Sequence, residues 1–239
     1  MASNIERMQA ADRKILESPG YHIDIRIQRL IRSYGVFEMN AVDLKEYVKR
    51  INDPHVALTL WSAGNQQKLR NAGLFMNRLL FNYLASAKSL ICHAKEFVEA
   101  YPRQSDFRKE YIDMINKTIL TDGLQSFIVY LRNLYIHDEV LKLNNQLIIK
   151  GHIKHVFLIN TDRIDITGLS KKGKEWIQKQ DTYVSVSDVT EEYYTRVSTF
   201  YLWLFERLRN MYKADYENLE KLYADADFSN KLVSTSEPE

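Results

Sequence analysis

The stretch NQQKLRNAGLFMNRLLFNYLASAKSLICHAKEFVEA, residues 65–100, carries the strongest helical pattern in the chain. Its apolar positions Met76, Leu80, Tyr83, Leu84, Ala87, Leu90, Ile91, Ala94 and Val98 recur three and four residues apart. That spacing puts them on one face of a long helix. Tyr101-Pro102 ends the pattern, because the residue before a proline is pushed out of the helical region.

Downstream, Ser105 is read as the N-cap of a further helix with Phe107, Tyr111, Met114, Ile115 and Thr118 on one face. Asp122-Gly123 makes a break around which the next helix starts, near Thr121. Leu124, Phe127, Ile128, Leu131, Leu134 and Tyr135 keep the helical spacing there, while Val129, Tyr130 and Ile136 make the other faces apolar too. A helix apolar all round is expected to be a central one. After His137, Gln146–Lys150 and Val156–Asn160 flank Gly151 and predict a small hairpin. Lys171-Lys172-Gly173-Lys174 reads as a basic turn leading into a short helix around Trp176. Asp188-Val189-Thr190-Glu191 resembles a capping box. A long closing helix then carries Tyr194, Val197, Tyr201, Leu204, Phe205 and Leu208 to about Ala224, and Phe228 to Glu239 reads as a frayed tail.

Upstream, residues 3–17 predict a short helix stopped by Ser18-Pro19-Gly20. Tyr21–Tyr34 alternates in part (His22, Ile23, Asp24, Ile25, Arg26, Ile27), which suits a strand, although Leu30 and Ile31 equally continue a helix. Asn40–Ile51 and His55–Ala63 predict two more helices, separated at Asp53-Pro54. The expected fold is mainly α, an up-and-down helical bundle with a small β-hairpin insertion after the helix that ends at His137. The expected organisation is an N-terminal helical extension over 1–64, a bundle over 65–226 with the insertion at about 144–162, and a flexible tail over 227–239.

Few turns are available to a chain of 239 residues with eight Gly and four Pro, which again favours long helices. Aromatic residues make up 12% of it, enough to build a substantial core rather than a disordered chain. A net charge of +2 provides no global field toward nucleic acid or membrane, so any such contact needs a local patch. Cys92 is the only cysteine, which excludes an intrachain disulfide and a cysteine-based zinc site. The N-terminus MASNIERMQAADRK lacks the apolar core of a secretory signal, and no run of about 18 apolar residues is present. These features predict a cytoplasmic protein with no membrane partner.

Chemistry enters at FIVYLRNLYIHDEV, residues 127–140, where Arg132, Asn133 and His137 interrupt an apolar helix. Burying such groups costs several kcal/mol unless they are paired or used. The Arg–His spacing alone says little, since Arg50 and His55 reproduce it across a helix-breaking Pro54. The second pair differs in three respects: a polar Asn follows the Arg, the segment is helical throughout, and its flanks are strongly apolar.

LRNLYIH resembles the Arg-x4-6-His motif of the HEPN (higher eukaryote and prokaryote nucleotide-binding) domains, in which Asn, Asp or His commonly follows the Arg. NRLLFNYLASAKSLICHAKEF resembles the long helix that precedes the motif helix in that family. The likeness covers roughly residues 65–137, with a looser match near 188–224. It implies a HEPN-like bundle and a metal-independent endoribonuclease acting as a homodimer, often a toxin or phage-defence effector, with an antitoxin or regulatory protein as a further partner. It equally allows a non-catalytic module that binds nucleotide, RNA or a protein partner. In the HEPN toxins paired with nucleotidyltransferase antitoxins a Tyr often stands two residues after the His. Glu139 stands there in this chain, a departure from that subclass.

The residue chemistry is consistent with that resemblance. RNA is cleaved without metal when its own 2′-hydroxyl attacks the neighbouring phosphate. His137 suits the proton transfer near neutrality. Arg132 can hold the charged transition state through two parallel hydrogen bonds. Asn133 shares a helical face with His137 and could orient the imidazole or contact phosphate. Arg132 lies about 140° around the helix from His137. One ideal helix therefore does not join them; a distorted helix end or two copies meeting on a two-fold axis would. The structural alternative is an Arg and a His at a helix end paired with Asp138 or Glu139.

A polar stripe, Arg78, Asn82, Ser86, Ser89 and His93, could line the same cleft, with Asn82 and Arg78 as candidate substrate-binding residues, or be a solvated helix face. His152 and His155 have metal-ligand spacing but no completing set, so both are expected to be exposed hairpin histidines. Lys171, Lys172 and Lys174 are expected to be solvated rather than phosphate-bound. Trp176, Trp203 and the tyrosines of the closing helix are expected in the core. No cofactor or metal is expected from these patterns.

Overall fold

The computed structural model describes residues 4–137 and 141–234, without the side chains of 4, 5, 7, 137 and 227–234. Helices α1 (Asn4–Glu17), α2 (Pro19–Ile51), α3 (Pro54–Trp61), α4 (Gln66–Glu99), α5 (Asp106–Thr118) and α6 (Leu124–His137) come first. Strands β1 (Asn144–Lys150) and β2 (His152–Asn160), helix α7 (Lys171–Gln178) and strand β3 (Tyr183–Ser185) follow. Helices α8 (Val186–Met211) and α9 (Lys213–Ser234) close the described chain. The fold is a mainly α helical bundle with a small hairpin after α6, as the periodicity predicts.

Two compact units divide the chain, one of residues 1–32 and 203–239, the other of residues 33–202. This division falls inside α2 and α8 and leaves the sequence boundary at 64/65 within the second unit. In the first unit α1 packs against α9, burying Ile15, Leu219 and Ala226 with Ala11, Tyr21 and Leu222 around them. A Cβ on Gly20 would lie 2.5 Å from the Asp215 carbonyl oxygen, so only glycine allows this approach. Ser18 turns its hydroxyl back to the Ile15 carbonyl (2.7 Å) and accepts from the Tyr21 amide (3.2 Å), capping the helix that restarts at Pro19.

The strand reading of Tyr21–Tyr34 is overturned, because that segment is the first part of α2. Ile27, Leu30, Phe37, Leu44, Tyr47 and Ile51 are all buried along this helix. Their three-, four- and seven-residue spacing outweighs a local alternation of only six residues. The closing helix is two helices, divided at Tyr212, and the backbone is helical through Ser234, beyond the expected fraying point.

The second unit is built around α4. Met76, Leu80, Tyr83, Leu84, Ala87, Leu90, Ala94 and Val98 are buried, as its periodicity requires. Tyrosines serve here as core residues whose hydroxyls end on acceptors. Tyr83 donates to the Thr190 carbonyl (2.8 Å), Tyr201 to the Leu90 carbonyl (2.8 Å), and Tyr193 to the Gln125 side-chain oxygen (2.6 Å). Phe37 lies against Tyr83, Tyr193 and Tyr194, a cluster that joins α2, α4 and α8. Ser105 accepts from the Arg108 amide and caps α5 as predicted.

β1 and β2 pair antiparallel across Gly151, whose φ of +69° suits glycine. β3 adds a third strand to β2, in the order β1-β2-β3. α8 starts directly after β3, so Asp188 sits in its first turn instead of capping it. Ser185, whose hydroxyl accepts from the Asp188 amide (3.3 Å), takes that part. Lys171, Lys172 and Lys174 are in the first turn of α7 rather than in a turn before it, and Lys172 donates to the Leu120 carbonyl (2.9 Å). Trp176 is buried and Trp203 half-buried.

Candidate active site on the α6 helix

α6 is fixed at its N-terminal end by backbone contact. A Cβ on Gly123 would lie 2.0 Å from the Lys172 carbonyl oxygen, and one on Gly173 would lie 2.6 Å from the Ser126 hydroxyl. The start of α6 and the start of α7 therefore meet through two glycines. Phe127 stacks on Trp176 at 4.8 Å between ring centroids. Asp122 accepts from the Leu124 amide (2.8 Å) and holds Arg196 of α8 through two parallel bonds of 2.8 and 2.7 Å. The Arg196 guanidinium keeps the Asp122 carboxyl below its ordinary range. The residues that read as a break in the sequence are the anchor of the helix.

Toward its C-terminal end α6 opens on one side. Leu124, Phe127, Ile128 and Leu131 are buried, Val129, Tyr130, Arg132, Leu134 and Tyr135 are half-buried, and Asn133 and Ile136 are exposed. The expectation of packing on every side is corrected accordingly, since the exposed Asn133 and Ile136 follow one another at helical spacing. Arg132 donates from Nη1 to the neighbouring Asn133 Oδ1 (3.1 Å). Its Nε is buried with no hydrogen-bond partner among the described residues. A buried donor left unmade costs about 1–3 kcal/mol. His137 is the last described residue of α6, and its side chain lies outside the described residues, as do the alternative partners Asp138 and Glu139 and the departure from the toxin subclass at Glu139.

Two residues that the sequence reading did not select complete this end of the helix. Tyr135 donates to Asn77 Oδ1 of α4 at 2.5 Å and lies 5.9 Å from the Phe81 ring. Burial pushes the Tyr135 hydroxyl well above its ordinary value, so it stays protonated and acts as a donor. No local signal separates Asn77 from the other polar residues of α4; only its place opposite Tyr135 does.

The α4 stripe divides. Arg78 lies over the Phe75 ring at 4.2 Å, Asn82 and Ser89 are exposed, and Ser86 is buried with its hydroxyl on the Tyr83 carbonyl (2.9 Å). His93 Nδ1 and the Ser33 hydroxyl are 2.5 Å apart. Neither Arg78 nor Asn82 hydrogen-bonds Arg132 or Asn133 among the described residues.

His155 departs most from expectation. Instead of being exposed it is buried at 1%, because in its β2 register it points inward, and its Nδ1 accepts from Trp61 Nε1 at 2.9 Å. Burial lowers its pKa to about 4. His152 is exposed. Among the described residues no three His, Cys, Asp or Glu side chains gather as metal ligands. No described helix is long and apolar enough to cross a membrane.

No protein-family model, curated protein or solved structure matches the chain.

Proposed function

We propose that the chain is a HEPN-type, metal-independent endoribonuclease that works as a homodimer through α6. The observation that carries this reading is Arg132. The residue is half-buried on a firmly anchored helix, with its Nε buried and unpartnered and its Nη1 turned to the exposed Asn133. A planar cation held in this way suits a phosphate oxygen, which accepts the forked hydrogen bonds that Arg offers.

In the proposed reaction the 2′-oxygen bonds to phosphorus and the bond from phosphorus to the 5′-oxygen breaks. The products are a 2′,3′-cyclic phosphate and a 5′-hydroxyl. One proton leaves the 2′-hydroxyl and one reaches the departing 5′-oxygen. His137 would carry these protons, and two copies would supply two imidazoles, one as base and one as acid. Arg132 would stabilise the charge on the phosphorane-like transition state, and Asn133 would orient a neighbouring group. Asn82 and Arg78 are proposed as substrate contacts. A role in growth arrest or phage defence, with an antitoxin or regulatory protein as partner, follows from the resemblance, and a cytoplasmic location from the sequence features given above.

The test is incubation of the protein with varied RNAs in excess EDTA beside His137→Ala. Cleavage by the native chain and its loss in the variant support the proposal; equal cleavage by both, or none by either, contradicts it. The second reading is a non-catalytic HEPN-like module that binds nucleotide, RNA or a protein partner, in which the paired Arg132 and Asn133 serve binding alone. Such a module would retain RNA binding after His137→Ala and turn over nothing.

A further inference from the structure

A cavity of about 500 Å³ lies in the second unit, between the C-terminal half of α2, the start of α8 and β2. Its volume is that of a small-molecule site. Val42, Leu44, Val48 and Tyr83 give it an apolar wall. Five charged side chains line it as well: Lys45, Lys49, Lys154, Asp188 and Glu191. Three cations stand against these two carboxylates, and Glu46 beside Lys49 adds a third.

Lys45 pairs with Glu191 at 3.1 Å, and Lys49 reaches Glu46 at a loose 3.9 Å, with both pairs exposed to solvent. Lys154 is half-buried and has no hydrogen-bond or ion-pair partner among the described residues. An unpaired lysine beside an apolar wall offers an anion its partner.

Two unpartnered buried polar atoms mark the same place. Asn52 lines the cavity, and its Oδ1 is buried without a hydrogen bond. Asn52, Val48 and Ser187 also line a second, smaller cavity of about 10 Å³, the room of a single water. His155 lines that one. Because Trp61 donates to its Nδ1, the neutral ring carries its proton on Nε2, which is a buried donor without a partner. An unpartnered acceptor, an unpartnered donor and an unpaired lysine are thus gathered around two cavities that share three residues. Core packing alone gives no reason to collect them there.

We propose that this α2–α8 cavity binds a small monoanionic molecule with an apolar body. Its acid group pairs with Lys154, its body lies against Val42, Val48 and Tyr83, and an N–H or O–H answers Asn52 Oδ1, directly or through one water held by His155. The site is separate from the open face of α6, and its occupancy does not depend on RNA cleavage.

Titration with 8-anilinonaphthalene-1-sulfonate, followed by fluorescence, tests the proposal. N-phenyl-1-naphthylamine serves as the comparator, having the same rings and N–H without the sulfonate. The expected result is saturable binding of one sulfonate probe per chain. Lys154→Gln should weaken the sulfonate probe by about fivefold, the scale of one partly exposed ion pair, and leave the neutral probe unchanged. Val48→Trp fills the apolar wall and should abolish binding of both probes. Ala41→Phe, at another lining position, gives the same reading if Val48→Trp does not fold. Absence of binding to the native chain, equal affinity for the sulfonate probe with and without Lys154, or unchanged binding in the filled variants each overturns the proposal.

Discussion

Trp61 gives its indole N–H to His155 Nδ1, and burial keeps the imidazole neutral. An unfolded histidine titrates near pH 6.5, while the folded one has its pKa lowered to about 4. Folding therefore favours the neutral ring. Its stabilisation is fully present above pH 6.5 and is lost as pH falls toward the folded value, by about 1.4 kcal/mol per pH unit. Urea denaturation between pH 7 and 4.5 should show a shallower loss of stability in His155→Gln than in the native chain; parallel losses in both would contradict the assignment. Nothing in the local sequence distinguishes His155 from His152, since both belong to one strand. The alternation of β2 does, because His155, Phe157 and Ile159 point to the buried side while His152 stays exposed. Arg132 and Asn133 were legible as polar interruptions of an apolar helix. Asn77 and Tyr135 were not, because their pairing joins two helices far apart in the chain.

At the scale of elements, periodicity located α4, α5 and α6 and both strands of the hairpin. It failed where a short motif competed with a longer one, as in the alternating start of α2, and where an element was too short to have a period, as in β3. Asp122-Gly123 shows the same limit from another side. A break and an anchor read alike in sequence, and the difference lies in what the glycine touches. Gly123→Ala drives a methyl group into the Lys172 carbonyl and should destabilise the chain by about 2–4 kcal/mol. Gly35→Ala, within α2 and with no atom near its added Cβ, should stabilise it by about 0.5–1 kcal/mol. Denaturant midpoints of the two variants check both signs, and a neutral Gly123→Ala would show that α6 and α7 can separate at no cost. Ordering of α6 by α7 is also what would hold Arg132 still.

For the whole molecule, the helical class was legible from few turn residues and many periodic ones, whereas the two-unit division was not. The first unit pairs α1 with α9 from opposite ends of the described chain, and no local pattern records such a contact. The proposed assembly belongs to this scale. If two copies meet through the open face of α6, sedimentation equilibrium should give twice the mass of one chain. Ile136→Glu, on the exposed part of that face, should give a folded monomer. A native chain that remains monomeric at every working concentration would contradict the dimer.

The central claim is that α6 carries an RNA-cleaving site, and end-group analysis of cleaved RNA tests it most directly. In excess EDTA the native chain should leave 2′,3′-cyclic phosphate and 5′-hydroxyl ends. Arg132→Lys, which keeps the charge and loses the fork, should slow that cleavage by about 10²-fold or more. Ends bearing 3′-hydroxyl and 5′-phosphate, or a rate unchanged by the substitution, would contradict the account.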